Sequence, residues 1–271
     1  MPEKMRAGKV LPGLASVIGA SGAGNGVLRG VSLAQPPVKE KPVTHRPDGP
    51  EPPLNPLPPV VWALALPMIV LESVLQLADA GLIGGAQGVG WRLTVLTRMA
   101  FDPGQLAWMW ETGRFLPQEL ARLLAYSFAH TSLSHAAFVV VFVLALGKFT
   151  GEVFRPLPLA LLFLGSAMGA ALIYTATGQV QALVGGYPGA FGLIGAFTFI
   201  LWLRLGASGA PTWRAFSLIG MLMLVRLIFG VFFGTDASWI ADLAGFAVGF
   251  GLSFLLVPGG PRRLLDHLRS R

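Results

Sequence analysis

Stretches of about twenty apolar residues, separated by polar or Gly/Pro-rich breaks, limit the possible folds of this chain more than any other feature. A helix rising about 1.5 Å per residue needs about 20 such residues to cross a hydrocarbon core about 30 Å thick. The stretches cover residues 60–83, 119–147, 156–177, 188–205, 213–234 and 239–257. The fourth is short. Apolar residues make up 54% of the 271 positions and charged residues 12%, half of the roughly 25% usual in soluble domains. A soluble fold would lack the charged exterior to cover that much apolar surface. The expected class is therefore an all-α membrane protein, a bundle of six transmembrane helices whose first partner is the lipid bilayer.

The flanking segments differ in kind. Residues 1–58 form a Pro/Gly-rich tail; Pro52, Pro53, Pro58 and Pro59 rule out a sustained helix or sheet, and disorder is expected. Lys4, Arg6 and Lys9 precede a mildly apolar run, residues 10–20, that resembles a weak signal peptide. Pro12, Gly13 and Gly19 interrupt it, and the tail reads as cytoplasmic instead. The membrane domain spans residues 59–257, and a basic tail, 258–271, carries Arg262, Arg263, Arg269 and Arg271. The first connection, 84–118, mixes Trp91, Trp108 and Trp110 with Arg92, Arg98 and Arg114, as expected of a long amphipathic outer loop lying in the membrane interface. Lys148, Arg155, Arg204 and Arg214 occupy alternate connections, on the side of the two tails. Lys and Arg accumulate on the cytoplasmic side, so both termini are expected there, in a bacterial inner membrane.

Some function classes drop out. Without cysteine there is no disulfide, thiolate nucleophile or cysteine-based metal site. The formal charge of +7 sits in tails and connections rather than in a stripe with interleaved aromatics, so nucleic acid is not an expected partner. No cofactor is expected. Nor is a metal: His130 and His135, read as lying on one helix, would point about 140° apart.

Ionisable groups within apolar stretches are costly and so become candidates. They are Glu72, Asp79, His130, His135, Arg226 and Asp242. Arg226 and Asp242 fall at similar depths on the fifth and sixth spans and could pair. Asp242, Gly245 and Gly249 share one helical face, and Gly185, Gly186, Gly189, Gly192 and Gly195 line the start of the fourth span. Small residues at such spacing let two backbones approach closely.

Three stretches carry a resemblance. Residues 124–135, LAYSFAHTSLSH, end in two histidines five apart, followed by Gly147 and Glu152. Residues 186–196 read GYPGAFGLIGA, and residues 239–249 read WIADLAGFAVG. In order and spacing, from 118 to 256, they resemble the rhomboid family of intramembrane serine proteases, which implies a rhomboid-like bundle. His130 then corresponds to the family's structural histidine and His135 to its oxyanion histidine. The family's nucleophilic serine is replaced by Pro188, its general-base histidine by Asp242, and an asparagine common in its members by Val139.

These replacements set the functional expectation. Proline offers no hydroxyl to a carbonyl carbon, and an aspartate of ordinary basicity would activate one poorly. Loss of one member of such a unit costs orders of magnitude in rate. No catalytic set is intact. The resemblance therefore implies a pseudoprotease that binds transmembrane client proteins, with His130, Gly186, Gly189, Arg226, Asp242, Gly245 and Gly249 as binding or structural residues. Two alternatives stay open. One is a protease using Ser127, Ser132, Ser134 or Ser166. The other is an ion- or proton-handling protein using Glu72, Asp79, Arg226 and Asp242. Client, process and oligomeric state are not legible.

Overall fold

The computed structural model describes residues 57–233 and 236–259. The expected tails, including the signal-like run and the basic carboxyl-terminal residues, lie outside the described residues, as does the side chain of Arg226.

The described chain is helical. Helix α1 (Pro59–Asp79) begins on prolines, whose missing N–H groups would be unpaired in a first turn anyway. Three short helices, α2 (Gly85–Gly88), α3 (Trp91–Met99) and α4 (Pro103–Thr112), make up most of the first connection. Asp102 caps α4 by accepting from the N–H groups of Gly104 and Gln105. Then come α5 (Pro117–Ala125), α6 (Leu133–Gly151), α7 (Pro156–Ala176), α8 (Tyr187–Ala207), α9 (Ser217–Phe233) and α10 (Ser238–Leu256).

Five of these, α1, α6, α7, α8 and α10, are long and apolar enough to cross a membrane. α9 has 17 residues and continues from a 3-10 turn at Thr212–Phe216. It occupies the place of the fifth expected span. At about 1.5 Å per residue its α-helical part reaches about 25 Å, so it is the shortest of the six.

α8 is the central helix: twelve of its residues are buried, including Pro188, Gly189, Gly192 and Gly195. It packs against α10 almost backbone to backbone. A Cβ at Gly245 would overlap the carbonyl of Pro188, one at Gly249 would overlap the backbone of Gly192, and one at Gly195 would overlap the backbone of Phe246 and Phe250. The other flank of α8 meets α7, where Gly189 lies against the Phe163 ring and Gly192 against Ser166. Val248 of α10 fills the notch at Gly169 of α7. With no hydrophobic drive between helices in lipid, close backbone packing of this kind is the main attraction available. The two glycine faces read from the sequence are therefore one seam.

Two expectations need correction. The second apolar stretch, 119–147, is not one span. Residues 117–125 form a separate amphipathic helix, Tyr126–Phe128 a 3-10 turn, and α6 starts only at Leu133, capped by the Ser132 side chain accepting from the His135 N–H. Apolar content continues through the break, so composition hides it; the cap at Ser132 sets the helix start. The fourth span is not short either. α8 runs 21 residues, past Arg204, to a stop where Ala210 N–H bonds the Leu205 carbonyl and Gly209 takes φ +71°. A cation in a helix's last turn is favourable and does not end it.

Candidate functional site

The break before α6 places both membrane histidines. His130 sits in the connection between the 3-10 turn and α6, outside the spanning helices, and is 1% exposed. His135 lies in the first turn of α6. Because they do not share a helix, their rings meet edge to face with centroids 5.1 Å apart, instead of pointing away from each other as a continuous helix would require.

His130 holds the start of α8. The Gly186 N–H donates to His130 Nε2 over 3.4 Å, and the Gly185 N–H donates to the Tyr126 carbonyl at 2.9 Å. Gly185 has φ +103° and lies directly on the His135 ring, so a side chain there would be both strained and blocked. Gly186 presses on Val139 and on the Ser127 carbonyl. With Nε2 accepting, the ring proton belongs on Nδ1. Burial lowers the His130 pKa to about 4, and the neighbouring His135 ring pushes the same way.

Val139, fully buried, fills the space beneath Gly186 with methyl groups. An apolar side chain there supplies no hydrogen-bond donor.

Pro188 falls in the first turn of α8, just after Tyr187, with Gly186 as the N-cap residue. Its missing N–H again costs nothing there. Asp242, 2% exposed, is one turn before Gly245 on α10, the glycine on which the Pro188 carbonyl rests. Pro188 and Asp242 therefore face the same space. That space is a cleft of about 360 Å³, with Pro188 and Tyr187 on one wall, Asp242, Ser238 and Asp236 on another, Thr131 and His135 from the start of α6, Tyr126 from the turn before it, and the extended run 181–184.

The cleft's residues are braced from behind. The His135 ring stacks on Tyr187 at 4.8 Å, and its Nδ1 is 3.1 Å from the Thr131 hydroxyl. The Tyr126 hydroxyl donates to the Ala167 carbonyl at 2.7 Å. Burial first, and the negative charge of Asp242 in addition, keep that phenol protonated far above its usual range. Leu183 exchanges two backbone hydrogen bonds with Phe101, at 3.0 and 2.9 Å, so residues 181–184 run as a short edge along the cleft.

Several contributors were not singled out from the sequence. Asp236 and Ser238 lie in a short polar connection; Asp236 accepts from both the N–H and the hydroxyl of Ser238. Tyr126, Thr131 and Tyr187 lie within the stretches that carry the resemblance but have no role of their own assigned there, and Gln181 lies outside them. Of the four serines named as alternative nucleophiles, none lines the cleft. Ser127 and Ser166 are fully buried, and Ser132 and Ser134 contact each other near the start of α6.

Glu72 and Asp79 stand apart from the cleft. Arg92 of α3 reaches back to both: its Nη2 is 2.9 Å from Glu72 Oε1, and its Nε is 2.8 Å from Asp79 Oδ2. Arg92 therefore pairs with both acids that the sequence offered as candidates within the first span.

A family model for the rhomboid domain matches residues 117–259, more than half of the 271-residue chain. No curated protein matches the chain. The match begins at α5 and runs through the histidine turn, the start of α8 and the glycine seam of α10. On this evidence of sequence and architecture together, the chain belongs to the rhomboid family and is a multi-pass integral membrane protein.

Proposed function

We propose that this rhomboid-family protein is proteolytically inactive and binds transmembrane segments of client membrane proteins. One observation carries the reading: Pro188 and Asp242, the residues that the family resemblance matches to its nucleophile and base, line the same cleft. No hydroxyl is available at position 188 to form an acyl intermediate, and a carboxylate replaces the imidazole that would take its proton. The surrounding scaffold is kept. A client helix is captured laterally against α6 and α9, whose outward residues include Phe138, Val141, Phe149, Met221 and Leu224. An extended stretch of the client can lie along residues 181–184, adding backbone hydrogen bonds at that edge. The placement of Lys148, Arg155, Arg204 and Arg214 supports cytoplasmic termini in a bacterial inner membrane.

A purified sample mixed with a helix-bearing reporter is expected to retain the reporter without cutting it. Specific cutting would end the inactive reading, and failure to retain any reporter would end the client reading. Pro188→Ser combined with Asp242→His is expected to restore detectable cleavage of the same reporter.

The contact between Ser238 and Asp236 favours a second reading, an unconventional hydrolase, because both line the cleft beside His135. The geometry fits a local Asx turn leading into α10 better: Asp236 also accepts from the Ser238 N–H, two residues on, at 3.1 Å. A fluorophosphonate probe is expected to leave the folded protein unlabelled. Labelling abolished by Ser238→Ala would revive the enzyme.

A further inference from the structure

Arg92 makes one contact beyond its two carboxylates. Nη1 donates to the His130 carbonyl at 3.2 Å and to Glu72 Oε2 at 3.1 Å, while Nη2 donates to Glu72 Oε1. One guanidinium thus joins α1, α3 and the 129–132 turn that supports the start of α8. Glu72 is 4% exposed and is steadied by the side-chain amide of Gln76, which donates to Oε1 at 2.8 Å. Among the described residues, the hydrogen bonds of Glu72 go to Gln76 and Arg92, and none goes to the turn itself. The planar fork of Arg suits this work, since a lysine ammonium could not span the two acids and the carbonyl at once.

We propose that Arg92 is the positioning residue of the cleft: anchored by Glu72, it holds the His130 turn in place, so that the first outer connection and the histidine side of the cleft move as one unit. The direction of action is specific. Glu72 fixes Arg92, Arg92 fixes the His130 carbonyl, and the His130 ring fixes the Gly186 N–H at the start of α8. A partner or lipid that displaces α3 then loosens the cleft without touching it. The consequence for clients rests on the client-binding reading; the mechanical link does not.

Backbone hydrogen exchange in detergent micelles tests the link. The native protein, Arg92→Gln, Glu72→Gln and the double variant are compared over residues 129–136, with the α7 and α10 peptides as internal references. Loss of a charged hydrogen bond to a buried carbonyl corresponds to about a tenfold rise in local opening. Both single variants are expected to speed exchange at 129–136 by about that factor, with the references unchanged. The double variant is expected to go no further than Arg92→Gln, because one chain of contacts is cut twice. Three results would overturn the proposal: no acceleration in Glu72→Gln, additive acceleration in the double variant, or equal acceleration in the reference peptides. The reporter assay separates the two readings. Exchange that rises locally while reporter retention is unchanged leaves the link standing and counts against the cleft as the client's seat.

Discussion

Two regions of the molecule hold helices together by opposite means. Along the α8–α10 seam, glycines at 192, 195, 245 and 249 bring two backbones into contact with no side chain between them. At the corner of α1, α3 and the His130 turn, the elements stand further apart and one long side chain, Arg92, bridges them by charge. The seam is therefore expected to be sensitive to added volume, and the corner to changes of charge. Pro188 and Asp242 lie on the seam and His130 on the corner, so the cleft needs both kinds of joint to be intact.

The sharpest way to break the comparison is to add volume at the seam. Gly249→Leu drives a side chain into the Gly192 backbone, which cannot move aside as a flexible side chain could. A loss of about 3 kcal/mol or more is expected, read as a collapsed melting temperature or failed recovery from membranes. A Leu at Gly251, where nothing lies within 4 Å of a Cβ, is the matched control and should cost little.

At the corner the leading stress is acid. Folded His130 takes up its proton at about pH 4, whereas an unfolded histidine does so near 6.5. Between those values the unfolded chain holds more protons, so stability is full above about 6.5 and drains away as the pH falls toward 4. The difference corresponds to roughly 3 kcal/mol. Melting temperature in detergent, measured from pH 7 to pH 4, should fall more steeply for the native protein than for His130→Asn. Parallel curves would remove His130 from the account.

The mildest probe is Asp79→Asn. Its side chain is 34% exposed, and Arg92 keeps its second acid. Solvent screening leaves such a pair worth about 0.5 kcal/mol, to be seen as a small shift that disappears at high salt. A large, salt-insensitive loss would show that Asp79, rather than Glu72, is the true anchor.

How far the sequence reaches can be judged from the same residues. The spanning helices are legible because a bilayer imposes a local rule, a minimum apolar length, that each helix satisfies within its own stretch. The glycine seam is legible because close approach needs small residues at helical spacing on both partners, and Gly245 and Gly249 supply it. The break at 126–132 is not, since Tyr126, Phe128 and Ala129 are as apolar as the spans beside them. Arg92 is not legible either. Its partners are 13, 20 and 38 positions away, and nothing local distinguishes it from Arg98 or Arg114. Asp236 and Ser238 look like ordinary connecting residues until the fold sets them in the wall of the cleft.

By itself, then, the sequence determined the membrane environment, the small-residue faces, and the absence of a serine and a histidine at positions 188 and 242. Each follows from residue identity or from a periodicity within one helix. Tertiary structure alone decided which charges neutralise each other, that the two histidines sit ring against ring, and which polar groups share the cleft. Those outcomes depend on distances between segments far apart in the chain, and such distances exist only once the helices have packed.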